Sequence, residues 1–168
     1  MPTSFEQYVH DNARELLRYA TALTCDPHTA QDVVQSVLLR AGQRWPGIEQ
    51  LAVPGAYVHR MVTNEFLSWR RRAVRTVSVS HEVIESVAPP SSDETDRVDQ
   101  RQLVFQGIAL LPRKQRAAVV LRYYANRSFA EIAGELGCSE ATARSHISRG
   151  LAALRDRIPA LERAKEAL

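Results

Sequence analysis

Apolar residues recur at three- and four-residue steps through most of the chain, the spacing that lines one face of a helix. Phe5, Tyr8, Val9, Leu16, Leu17, Ala20 and Leu23 form the first stripe. Cys25-Asp26-Pro27 ends it, and Asp26 can cap a second helix with Pro27 at its first position. That helix carries Ala30, Val33, Val34, Val37, Leu38 and Ala41, and Trp45-Pro46-Gly47 breaks it. After a loop to Pro54-Gly55, a third helix carries Ala56, Tyr57, Met61, Val62, Phe66 and Trp69 and closes in Arg70-Arg71-Arg72. The pattern resumes near Val98. Leu103, Val104, Ile108 and Leu111 mark one helix; Pro112 opens another with Ala118, Val119, Leu121, Arg122 and Tyr123. Two more follow, Ser128 to Leu136 and about Glu140 to Arg157, with a turn at Gly137 and a stop or kink at Pro159. No alternating run is long enough for a sheet. The predicted fold is all-α.

Residues 74–97 interrupt the stripes. Ser78, Ser80, Ser86 and the run Pro89-Pro90-Ser91-Ser92-Asp93-Glu94 read as a flexible linker. Two small helical domains, 1–73 and 98–168, therefore flank it. Charge follows the same division: net +1, −3 and +5 for the first domain, the linker and the second domain. An acidic tether repels nucleic acid, and the domains it joins can bind it. Of 22 basic residues only Lys114 and Lys165 are lysine, and arginine forks suit phosphates and base edges.

Composition removes several classes. At 45% hydrophobic and 24% charged, the chain is an ordinary globular sequence rather than a disordered one. No apolar run approaches the roughly 20 residues of a membrane span, and the N-terminus has no basic flank followed by an apolar core. Cys25 and Cys138 lack partner motifs, which points to a reducing cytoplasm and small packing side chains. Cys25 and His28 have no second ligand pair, and His81-Glu82 lacks the spacing of a zinc-binding helix. With no glycine-rich phosphate loop and no supported nucleophile triad, the expectation is no metal, no cofactor and no catalysis.

The strongest local motif runs from Ser128 to Leu151. Ser128 and Glu131 have capping-box spacing. Ala133 is small where two helices must cross, Gly137 permits a left-handed turn, and Ser139 can cap the next helix. Leu136, Ile147 and Leu151 supply apolar packing. This is the pattern of a helix-turn-helix, whose second helix enters the major groove. Ser139, Glu140, Thr142, Arg144, Ser145, His146 and Arg149 are its polar candidates for DNA. Arg122 and Arg127, with Arg149, are placed for phosphates.

In the first half, the run Ala30-Gln-Asp-Val-Val-Gln-Ser-Val-Leu-Leu-Arg and the run Ala56-Tyr-Val-His-Arg-Met-Val-Thr-Asn-Glu-Phe-Leu-Ser-Trp-Arg-Arg-Arg resemble regions 2.1–2.4 of a bacterial sigma factor. Leu110-Leu-Pro-Arg-Lys-Gln-Arg through Leu154-Arg resembles region 4. Both sets in this order are similar to the extracytoplasmic-function (group 4) sigma factors, nearest the actinobacterial SigE-like subfamily. The resemblance covers nearly the whole chain apart from the linker and the last residues. It implies a polymerase subunit with no cofactor that selects promoters.

The roles that follow are implied by that resemblance. Asp32, Gln35, Leu39 and Arg40 match the stretch that docks on the clamp helices of the core polymerase's largest subunit, and region 4 would meet the flap. The Trp45–Pro54 loop, Tyr57 and Asn64 match the part that holds unpaired −10 bases, where an amide reads a base edge and apolar side chains replace stacking. Trp45 and Tyr57 serve equally well as core residues. Arg70, Arg71 and Arg72 match a phosphate-binding end. The helix-turn-helix would read the −35 duplex. Promoter DNA and core RNA polymerase are the implied partners, and the family allows for an anti-sigma factor. Ser68 stands where aspartate is usual, Ala141 and Ala143 where glycine and valine are frequent, and His146 where arginine is frequent. These departures bear on −35 preference and phosphate grip. Two other readings fit parts of the chain: a stand-alone operator-binding regulator, and a helical adaptor that binds only protein.

Overall fold

The structure is a computed structural model that describes residues 4–68 and 104–157. Helix α1 spans Phe5–Thr24; its N-cap Ser4 accepts from the Gln7 N–H, and Cys25 ends it in the left-handed conformation with φ 54°. Helix α2 spans Pro27–Gln43, with Asp26 accepting from the Thr29 N–H and Pro27 in the first turn. The end of α1 and the cap of α2 were legible because both are set by the few residues at Cys25-Asp26-Pro27.

Helix α4, Pro54–Ser68, packs on both α1 and α2. Leu16, Leu23, Val33, Val37, Val58 and Val62 are fully buried between them. All but Val58 lie on the predicted stripes, which meet as three faces of one small bundle; on α4 the buried position is Val58, while its predicted neighbour Tyr57 is exposed.

One departure is the Trp45-Pro46-Gly47 break. It holds a four-residue helix, α3, Trp45–Ile48. Proline costs nothing in a first turn, where its missing N–H would have no partner. Trp45 is only 6% exposed. Its ring lies 5.4 Å from Phe5 and 4.8 Å from Tyr8, so the indole anchors α3 to the start of α1.

The second half begins with helical residues 104–109 and continues in α5, Arg113–Tyr123, α6, Phe129–Leu136, and α7, Glu140–Arg157. Helix α7 packs on both α5 and α6. Gly150 lets α7 approach α5 closely: a Cβ there would sit 2.8 Å from Val119 Cγ2.

The two halves share one continuous core rather than standing apart. Helices α1 and α4 touch α5, and α4 also touches α6. The Tyr19 ring stacks 6.1 Å from Tyr124, and the Arg116 guanidinium lies 5.6 Å from the Phe66 ring centre. These contacts use polar and aromatic side chains without helical periodicity. Apolar stripes alone therefore divide the halves that the fold brings together.

Candidate nucleic-acid interface

The helix-turn-helix forms as its residues dictate. Glu131 N–H donates to Ser128 Oγ at 3.2 Å, and Ser128 N–H donates to the Glu131 carboxylate at 2.8 Å. Those bonds, the backbone N–H of Ser128 first, hold the Glu131 carboxyl below its ordinary pKa. Gly137 takes φ 63°, and its N–H closes on the Ala133 carbonyl. Ser139 Oγ then accepts from the Thr142 N–H at 3.1 Å and starts α7. Ala133, Leu136, Ala143 and Ile147 are buried where α6 and α7 cross.

The outward side of α7 carries the candidate readers. Ser139, Glu140, Thr142, Arg144 and Arg149 are exposed, and Ser145 and His146 are half-buried. Arg144 is 60% exposed at its side chain and lies 3.6 Å from Glu140. Burial, with Lys114 and Arg149 nearby, pulls the His146 pKa below its ordinary value. At neutral pH this imidazole is uncharged, so it offers one hydrogen-bond donor rather than a cation.

Phe129 is a member of this surface that the sequence did not single out. Arg122 lies 4.7 Å and Arg144 4.3 Å from its ring centre. An aromatic face attracts a guanidinium, so one ring steadies an arginine from α5 and one from α7. The available signal was its place inside the capping box, between two arginines of the motif. Arg122 also donates to the Arg127 carbonyl at 3.0 Å. Arg127 itself is engaged internally, 3.3 Å from Glu131 and 3.7 Å from Glu135.

The first half presents a second surface. An open apolar groove of about 660 Å³ runs between α1 and α2, lined by Phe5, Leu17, Val34, Gln35, Leu38 and Leu39 among others. Leu39 is 64% exposed at its edge. Asp32 and Gln35 are exposed on α2, while Arg40 pairs with Glu65 of α4. Asn64 is exposed on α4, and Tyr57 is exposed at the opposite end of the same helix.

Of its two readings, Trp45 takes the core one: it is buried, with its ring against Phe5 and Tyr8. The loop that follows exposes Leu51 and Val53 instead, 42% and 63%, and sequence reasoning did not name them. Large apolar side chains left open in a loop were not distinguishable from core residues without the fold. Arg70, Arg71 and Arg72 lie outside the described residues.

Both halves match known families: residues 8–76 match sigma-70 region 2, and residues 101–154 match sigma-70 region 4. The chain is 35% identical over 164 residues to the RNA polymerase sigma-E factor of Streptomyces coelicolor, covering 98% of this chain and 91% of that protein. The chain belongs to the sigma-70 family of RNA polymerase sigma factors.

This sigma factor is of the extracytoplasmic-function type. It is 35% identical over 148 residues to the ECF RNA polymerase sigma factor SigL of Mycobacterium tuberculosis, covering 86% of this chain and 83% of that one. In fold it is similar to the sigma factor RpoE of Bartonella quintana, solved in complex with the anti-sigma factor NepR, with TM-score 0.71 and 23% identity, covering 92% and 96% of the two chains. No helix among the described residues is long and apolar enough to cross a membrane.

Proposed function

We propose that this sigma factor recruits core RNA polymerase to promoters by dividing the work between its two surfaces. The carrying observation is the capped, outward-facing α7, presented by a chain that also has an open apolar groove at α1–α2. The α7 surface reads the −35 duplex. Arg144 is suited to guanine O6 and N7, Glu140 to a cytosine amine, and Ser139, Thr142, Ser145 and His146 to single hydrogen bonds. Arg149 and Arg122 contact phosphates, which fix register without reading sequence. Arg127 supports the surface through its pairs with Glu131 and Glu135.

The α2 surface docks on the clamp helices of the polymerase. Leu39 enters the partner's apolar face, and Asp32, Gln35 and Arg40 rim the contact. Burying an exposed leucine contributes about 1.5–3 kcal/mol, enough for one residue to dominate a small patch. Asn64 hydrogen-bonds an unpaired −10 base, with Tyr57, Leu51 and Val53 offering apolar contact to splayed bases. Arg70, Arg71 and Arg72 hold the adjoining phosphates. The protein supplies recognition and strand capture in the cytoplasm, and the nucleotide chemistry belongs to the polymerase.

Substituting Leu39→Asp tests the docking surface. Co-elution with bacterial core polymerase on a sizing column should be lost, while the far-ultraviolet helical signal stays unchanged. Co-elution equal to the unsubstituted chain would remove Leu39 from the interface.

A further inference from the structure

We infer that Lys114, His146 and Arg149 together hold one backbone phosphate of the −35 duplex, and that His146 takes up a proton as that phosphate arrives. The inference rests on the promoter reading above, with His146 turned to the backbone rather than to a base edge. Lys114 joins the surface as a residue not yet assigned to it.

The three side chains meet because α5 and α7 cross closely. A Cβ on Gly150 would lie 3.6 Å from the Gln115 carbonyl oxygen and 3.6 Å from Leu111 Cδ1, so this face of α7 presses on the first turn of α5. His146 lies one helical turn before Gly150 on the same face. Its ring is half-buried there, and Nδ1 is enclosed without a hydrogen-bond partner among the described residues. That leaves Nε2 as the nitrogen open to a ligand. Arg149, three positions along α7, and Lys114, next to Gln115 on α5, are both exposed.

Electrostatics at this corner are one-sided. The charged groups that act on His146 are Lys114 from α5 and Arg149 from its own helix. Arg113 and Arg116 of α5 lie against Phe66 of α4 instead. The acids of α6 also face elsewhere, since Glu131 and Glu135 pair with Arg127. On α7, Glu140 pairs with Arg144. Burial and the two cations keep the free imidazole uncharged at neutral pH. Such a corner suits an anion. A phosphodiester brings one negative charge to two standing cations, whereas a base edge brings no net charge at all. The same charge favours the imidazolium, which then donates from Nε2 to a phosphate oxygen.

The proton link has a fixed sign. Phosphate raises the His146 pKa, so binding takes up a proton in the pH range between the free and bound values. Affinity therefore grows as pH falls through the bound value and levels off below the free one. An arginine at this position would stay charged and grip the phosphate equally at every pH.

The test uses the full chain assembled with core polymerase, and reads affinity for a promoter duplex by fluorescence anisotropy at constant ionic strength. From about pH 8 to about pH 6, the unsubstituted chain should gain about fivefold more affinity than His146→Gln. His146→Arg should flatten the profile as well, but at its tight end, so that it binds more strongly than the unsubstituted chain at the higher pH. A packing role alone would not be rescued by arginine. Lys114→Gln should weaken binding at every pH and reduce the salt slope by about one. Circular dichroism checks that each variant remains helical. If one His146 variant fails to fold, the profile of the other decides. The proton uptake is overturned if His146→Gln keeps the unsubstituted pH profile, or if His146→Arg binds more weakly at the higher pH. An unchanged salt slope in Lys114→Gln overturns the shared phosphate site. In those cases promoter-specific binding by the unsubstituted chain leaves the sigma-factor reading standing. If the unsubstituted chain gives polymerase no promoter-specific affinity at any pH, that reading fails and the inference falls with it.

Discussion

Asn64 sits exposed on α4, without a packing duty to lose, and its amide can both donate and accept. Asn64→Ala should therefore reduce open-complex formation, read with a base-unpairing probe, while binding to core polymerase is kept. Equal melting by the purified variant would remove Asn64 from the −10 surface. Trp45 behaves in the opposite way. Its ring fills the space between Phe5 and Tyr8, so Trp45→Ala should cost about 3–5 kcal/mol of stability in denaturant unfolding. The sequence left that indole open between core and site because its partners lie some forty positions away. Phe129 has a role in geometry rather than in contact. Phe129→Leu should relax base discrimination on the −35 duplex, and Phe129→Tyr should restore it, because tyrosine keeps the aromatic face under Arg144. A loss of helicity in the leucine variant, with equal loss in the tyrosine variant, would make the ring a packing group only.

At the scale of elements, caps explain why so much was legible. Ser4, Asp26, Ser128 and Ser139 each satisfy an N–H at the start of a helix; the last three were readable from a few neighbouring residues, and Ser4 was not singled out. Ser128→Ala should lower stability by about 1 kcal/mol and loosen α6, seen as faster amide exchange there. The cap is pH-dependent. The Glu131 carboxyl is held below its ordinary pKa in the folded state, so its contribution is present above the unfolded value of about 4.5. It is lost as pH falls through the lower, folded value. Glu131→Gln should flatten the acid limb of the stability profile, and an unchanged limb would contradict the assignment. Close helix crossings were less legible than caps. Gly150 looks like any surface glycine in sequence, yet Val119 leaves little space for a side chain. Gly150→Val should separate α5 from α7 and lower the melting temperature by several degrees. Helix α3 was missed for a related reason: a proline and a glycine read as a break, while tertiary anchoring by Trp45 makes one helical turn worthwhile.

For the whole molecule, the all-helical class and both halves were legible, since period and caps repeat through each. What the sequence could not supply was their meeting. Where the halves meet, Arg60 donates to the Gly134 carbonyl and Thr63 to the Glu135 carboxylate, and nothing in a single sequence pairs positions about 70 apart. Likewise the candidate DNA face of α7 was readable as a set, whereas the apolar Leu51 and Val53 needed the fold to be seen as exposed. Charge agrees with a nucleic-acid partner only weakly, at net +3, so recognition has to come from placed arginines rather than from bulk attraction. The central requirement is that the chain act as a promoter-selecting subunit. Its most direct test is transcription by purified core polymerase on a library of randomised promoters, with and without the full chain. Specific initiation only when the chain is present, from templates sharing one −35 and one −10 motif, is the expected result. Salt-sensitive duplex binding by the chain alone, with no co-elution and no chain-dependent transcripts, would contradict it and favour a stand-alone operator-binding regulator.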